Sequence, residues 1–156
     1  MGKTYQQKLE LAEKCGISIP EELLSPKNIV GIYKFFWVND DDAYCFYIGK
    51  STDIAYRLFG SSNGHIFMFL NGDYSKIVPL KIKEYLDEGK KIRVEICEIS
   101  YYDTSFSRAA HRLALAELQE IVKYQKMGQC PFQVPEGAGT YEEQFWAKNY
   151  KQDEQE

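Results

Sequence analysis

The chain has 156 residues, 44% of them hydrophobic and 15% aromatic, with a formal net charge of −4. That length and apolar share suit one domain around one core and exclude wholesale disorder. No apolar run approaches the roughly 18 to 20 residues of a membrane span, and the N-terminus lacks the apolar stretch of a secretory signal, so a cytoplasmic setting is expected.

The charge is unevenly spread. Residues 135–156 carry six acids and two lysines, and the other 134 residues balance at 17 acids against 17 basic residues. A neutral body can still focus positive potential in one cleft, so the acidity does not exclude DNA. It does argue against tight, sequence-blind binding by bulk charge. Cys15, Cys45, Cys97 and Cys130 lie far apart without a Cys-x-x-Cys pair, which argues against zinc and reads as core or surface thiols.

Residues 4–15 suit a helix, with Leu9, Leu11 and Ala12 apolar and Gly16 ending it. Residues 16–29 read as a connector. Ile29 to Val38 and Ala43 to Ile48 are apolar, aromatic runs around Asn39-Asp40-Asp41-Asp42, which is turn chemistry, so the pair predicts a β-hairpin. Ser51-Thr52-Asp53 offers a helix N-cap, with Ile54, Ala55, Leu58 and Phe59 on one face. A break at residues 60–64 precedes a short apolar run from His65 to Leu70. A further helix opens near Ser75 or Val78-Pro79 and closes at Gly89. Lys91 to Ser100 alternates, with Ile92, Val94 and Ile96 on one side, and predicts a half-buried strand. Thr104 or Ser105 caps the longest helix, which runs to about Met127 and stops at Gly128. A Pro- and Gly-rich segment, a short helix near residues 141–150 and a polar tail complete the chain. The expected fold is α/β (α+β): a small three-stranded antiparallel sheet flanked by helices, in a single domain spanning residues 1–156 with its core at about 29–134. Phe67, Phe69, Trp146 and Tyr150 are expected in core or cap packing.

Gly31-Ile32-Tyr33 followed by Tyr47-Ile48-Gly49, with Lys50 directly after, Arg57 on the next helix and a Glu on a helix beyond the third strand, resembles the GIY-YIG nuclease superfamily. The likeness covers roughly residues 29–134 and is closest to the compact, restriction-type members. It implies a divalent-metal-dependent endonuclease that cuts DNA phosphodiester bonds with Mg²⁺ or Mn²⁺. It makes Tyr33 the general base or water-orienting group, Tyr47 its neighbour, Arg57 and Lys50 the phosphate contacts, and Glu117 the metal ligand.

The chemistry suits these residue types. Hydrolysis needs an activated water, neutralised phosphoryl oxygens and help for the leaving oxygen. A free phenol has a pKa of about 10, so Tyr33 needs nearby cations or a relay to act as a base. A guanidinium offers planar donors and a permanent charge to a phosphate. Mg²⁺ accepts a single carboxylate because it keeps several waters. Glu120, one turn beyond Glu117, competes for the metal.

Two positions depart from the family pattern. Ser61 stands where the family has His or Tyr, with His65 four residues on as a general acid or phosphate contact, alongside Asn63. Gln133, after Pro131-Phe132, stands in for a late Asn as a substrate contact. His111 reads as structural or exposed. Cutting both strands with one site requires a homodimer or two successive nicks. Two alternatives stay open: a weak or inactive GIY-YIG-fold module that grips DNA or a protein, and an inhibitory partner whose acidic tail mimics nucleic acid.

Overall fold

Nine residues, Gly31–Asn39, form β2 and ten, Asp42–Ser51, form β3. Asp40 turns the chain at a φ of +54°, a left-handed conformation that Asp tolerates. The computed structural model describes residues 2–135 and 137–153. Within them the hairpin is the centre of a mixed α/β fold with five α-helices and an open sheet. The sheet has four strands, in the order β1-β4-β2-β3, where β1 is Ile17–Ser18 and β4 is Lys91–Glu98. The expectation of three antiparallel strands is corrected here. Two residues of the predicted connector add a parallel edge, with Ile17 opposite Ile92. A strand of two residues carries no periodic signal of its own.

Side chains alternate across β2. Tyr33, Phe35 and Trp37 face one core, and Ile32 and Phe36 face the other. The first face is covered by α1 (Tyr5–Cys15), α2 (His65–Leu70), α3 (Ile77–Asp87) and a π-helical turn at Tyr56–Gly60. The second is covered by α4 (Phe106–Gln125) and the segment after it. Thr4 and Gln7 form a capping box on α1, and Ser105 caps α4 by accepting from the Arg108 amide. The apolar run at His65–Leu70 is a helix, too short for its periodicity to declare itself.

A β-bulge sets the hairpin geometry. Phe35 pairs with Tyr47 and Phe36 with Cys45, leaving Phe46 as the extra residue. Phe46 and Tyr47 therefore both turn toward the first core, beside Tyr33, while Cys45 and Ile48 turn toward the second.

The outer edge of β3 is closed by side chains. The Gln133 amide accepts from the Ile48 N–H at 2.7 Å and donates to the Ile48 carbonyl, as a neighbouring strand would. Gln129 accepts from the Cys45 N–H at 2.7 Å, and the Cys130 N–H donates to the Cys45 carbonyl. Cys45 and Cys130 are free thiols whose sulfurs lie 3.6 Å apart.

The tail helix, α5 (Thr140–Asn149), buries none of its residues. Trp146 and Tyr150, expected in cap packing, are 49% and 68% exposed. Phe69 packs against the first core as expected, and Phe67 lies under the Lys8 ammonium. Among the described residues no helix is long and apolar enough to cross a membrane.

Two glycines of the hairpin are demanded by close approach. A Cβ at Gly31 would lie 2.2 Å from the Cys97 carbonyl oxygen, a backbone atom of β4. A Cβ at Gly49 would lie 2.3 Å from the tip of the Tyr33 ring. Gly31→Ala is expected to cost about 3 kcal/mol, because the β4 backbone must move, and Gly49→Ala about 2 kcal/mol, because the buried Tyr33 ring must shift from its contact with His65 but no strand has to move. Urea unfolding of both variants measures the order, and a larger loss for Gly49→Ala would reverse the assignment.

Candidate active site

The site begins where the two strands pair Tyr33 with Gly49. Lacking a side chain, Gly49 leaves room for the Tyr33 ring to extend over its Cα. Tyr33 is 1% exposed and stacks on Tyr47, with ring centroids 6.4 Å apart. Its hydroxyl is 2.9 Å from His65 Nε2. His65 is the first residue of α2. It is itself buried and meets Phe35 and Tyr47 edge-on. Gly64 sets this entry, since a Cβ there would lie 2.8 Å from the Leu58 carbonyl oxygen.

A cleft of about 660 Å³ opens at this end of the sheet. Tyr33, Tyr47, Lys50, Arg57, Glu117 and Gln133 all line it, and Leu118, Val122 and Val134 add an apolar part of the wall. Six of the predicted site residues are thus brought together from β2, β3, the π-helical turn, α4 and the segment after it. Arg57 is held by a hydrogen bond from Nη1 to the Asn63 carbonyl at 2.9 Å. Lys50 Nζ stands 3.7 Å from Glu117 Oε1.

Three predicted residues occupy other roles. His65 lies behind Tyr33 and is not among the residues lining the cleft. Asn63 orients Arg57 through its backbone and does not line the cleft. Gln133 lines the cleft, but its amide is engaged by the Ile48 backbone. Glu120 turns to Lys34, 3.1 Å away, which leaves Glu117 as the α4 carboxylate at the cleft. His111 is exposed, and its Nδ1 is 3.3 Å from the Ser107 hydroxyl.

Burial pushes the Tyr33 phenol well above its usual range. Tyr47 adds to the shift, Arg57 opposes it and Glu117 adds again. Burial also raises Tyr47, with Arg57 opposing and Glu117 assisting. His65 moves the other way, from 6.5 down to about 3, through burial first and then the Arg57 charge. At neutral pH the pair is a neutral phenol against a neutral imidazole, and the imidazole nitrogen is able to accept the phenol's proton. Lys50, Arg57 and Glu117 place two positive charges and one negative charge at the cleft, a setting for an anion with a cation beside it.

Sequence reasoning missed the His65 partnership and the apolar wall. The wall was detectable, because Leu118 and Val122 sit on α4 next to Glu117 and Ile121. The His65 contact joins residues 32 apart and has no local signal.

No family model matches the sequence, and neither a curated protein nor a solved structure matches the chain.

His65 links the site to stability. Its folded pKa lies below the ordinary value, so between pH 6.5 and 3 the unfolded chain binds more protons. This contribution to stability is complete above pH 6.5 and is lost as pH falls toward 3. The unfolding free energy is expected to fall by up to about 1.4 kcal/mol per pH unit in this window beyond what His65→Gln shows. Urea titrations of both proteins at pH 7, 6, 5 and 4 measure the difference, and parallel curves would mean that His65 titrates alike in both states.

Proposed function

We propose that the chain is a compact GIY-YIG-type endonuclease that hydrolyses DNA phosphodiester bonds with a divalent metal, in restriction, defence or mobile-element biology. The observation that carries the reading is the convergence of Tyr33, Tyr47, Lys50, Arg57 and Glu117 on one cleft from widely separated positions in the chain. A scissile phosphate needs cations for its oxygens, a proton acceptor for the attacking water and a carboxylate for a metal, and these five residues supply that set.

The donor set fits Mg²⁺ or Mn²⁺. Among the described residues Glu117 is the one carboxylate lining the cleft, and no group of three His, Cys, Asp or Glu converges on a common point. A single carboxylate suits an ion that keeps several waters and takes phosphate oxygens as further ligands. Glu117 would hold that ion, which when bound neutralises phosphoryl charge and acidifies water.

The chain's own residues do the rest. Arg57, permanently charged and steadied by the Asn63 carbonyl, clamps a non-bridging oxygen. Lys50 binds a second oxygen and balances Glu117. Tyr33 takes the proton of the attacking water at its hydroxyl oxygen and passes its own proton to His65 Nε2. The new P–O bond forms as the old one breaks, the leaving oxygen takes a proton from solvent, and His65 then returns its proton through Tyr33 to solvent, which restores both groups to neutrality. With both groups neutral beforehand, the relay moves a proton only when the substrate's negative charge favours an imidazolium. Tyr47 stacks on Tyr33 and fixes its plane.

A second reading, a binding module that grips DNA or a protein without cutting, draws on the enclosure of Tyr33 and on the engagement of the Gln133 amide.

Supercoiled plasmid separates the two. With Mg²⁺ the protein is expected to nick it, and Tyr33→Phe, Arg57→Ala and Glu117→Ala are each expected to lose at least ~10²-fold in rate while remaining folded. Cleavage unchanged in all three would put the chemistry elsewhere. A protein that retards DNA in a gel but never cuts it would be the binding module.

A further inference from the structure

The helix α4 sorts its charges by face. Its acids, Glu117 and Glu120, turn toward the sheet, where they meet Lys50 and Lys34. Its outward face carries Arg108, Arg112 and Lys123, followed by Lys126 at the C-cap. Asp103 pairs with the two arginines at the N-terminal end and Glu120 also lies 4.0 Å from Lys123, so the positive charge is least compensated at Lys126. Between these ends runs an aliphatic stripe at helical spacing: Leu115, Leu118 and Val122, which are 55%, 46% and 50% exposed. Exposed apolar side chains gathered on one face, rimmed by charge, mark an interaction surface.

The second unpartnered element is α5. It spans ten residues, all of them exposed. A helix of that length is marginal in water without a packing partner. It presents Tyr141, Phe145, Trp146 and Tyr150, 49% to 76% exposed, alongside Glu142 and Glu143. Aromatic side chains of this kind are enriched at protein interfaces. Within α5 two acids, Glu142 and Glu143, stand against one base, Lys148, so the helix is mildly anionic opposite the cationic outward face of α4.

The two faces thus complement one another in both properties: aliphatic and cationic on α4, aromatic and anionic on α5. We propose that α5 of one copy docks on the outward face of α4 in a second copy, and reciprocally, so that two chains form a two-fold dimer and each gives the other's cleft an outer lip. Reciprocal exchange satisfies closed symmetry, because each α4–α5 contact occurs twice and no docking face is left open. Leu118 and Val122 belong at once to the stripe and to the cleft wall, so the partner's helix would complete that wall. The dimer does not depend on whether the cleft cuts phosphodiesters.

Sedimentation equilibrium of the full chain tests it, over about 1 to 100 µM in low salt. The expected mass is twice 18.1 kDa. Leu118→Asp and Trp146→Asp are each expected to weaken the dimer at least ~10-fold, the scale of losing an apolar anchor at an interface, with unchanged circular dichroism in the 1–135 fold. Lys126→Glu is expected to weaken it, and Glu143→Lys in the same chain to recover part of the loss. A monomer at 100 µM overturns the proposal, as does a dimer indifferent to both aspartate substitutions. A monomer whose amides at residues 140–149 are protected from exchange would seat α5 on its own chain. A monomer that binds duplex DNA through Lys126 would assign the face to nucleic acid, and either result overturns exchange between copies.

Discussion

The phenol of Tyr33 lying across Gly49 is the contact on which the arrangement of the site depends. Because the residue paired with it has no Cβ, the ring leans toward β3 instead of standing clear of the sheet. That tilt brings its hydroxyl to His65, and the hydrogen bond joins the hairpin to α2. The bulge at Phe46 then sets Tyr47 on the same face, so that the two tyrosine rings line the cleft and pack against His65 behind them. Burial of a phenol and an imidazole is tolerable because each satisfies the other while both stay neutral. An isolated charge on either would cost several kcal/mol at that depth. The same enclosure that holds the geometry also keeps the pair from ionising until charge arrives from outside.

Much of this was legible in the chain. The apolar, aromatic run of β2, the alternation in β4, turn residues at the hairpin tip, and the caps and glycine stop of α4 each express a local rule, and each element formed within two or three residues of its expected place. The clustering of Tyr33, Tyr47, Arg57 and Glu117 was expected from the resemblance that their motifs carry, and all four line the cleft. What escaped was decided by contacts across the fold. The strand Ile17–Ser18 exists only because β4 offers it an edge. The bulge exists because two aromatic residues prefer the same core. Gln133 was read as a substrate contact from its place after Pro131-Phe132, yet its amide serves as a surrogate strand on β3. His65 was read as a loop residue near the phosphate, yet it starts a helix and stands behind the tyrosine.

The charge of the molecule has to be taken locally for the same reason. A net charge of −4 describes the tail, while among the described residues the cleft is lined by Lys50 and Arg57 against one acid, Glu117. Low-dielectric walls such as Ile48, Ile121 and Val122 confine the field of those cations, so an anion entering the cleft meets a local positive potential that the net charge of the chain does not describe. Bulk charge would instead repel a polyanion at long range. If the proposed function holds, bulk electrostatics would not carry DNA binding, and affinity would come from shape and from specific contacts at the cleft.

The long helix α4 reconciles these demands. Its inward face gives Glu117 to the cleft and Glu120 to Lys34, and through Ile121 and Tyr124 it seals the second core. With its acids turned inward, the outward face is left cationic and aliphatic. Placing a carboxylate at the cleft therefore also fixes what the opposite side of the same helix shows to the outside. Glu117 cannot be moved to another turn without rotating the apolar seam that anchors the helix, since residues 117, 121 and 124 keep their common direction only at helical spacing. The electrostatics of the cleft and the character of the outer surface are consequently set together, by the rotation of one helix about its axis.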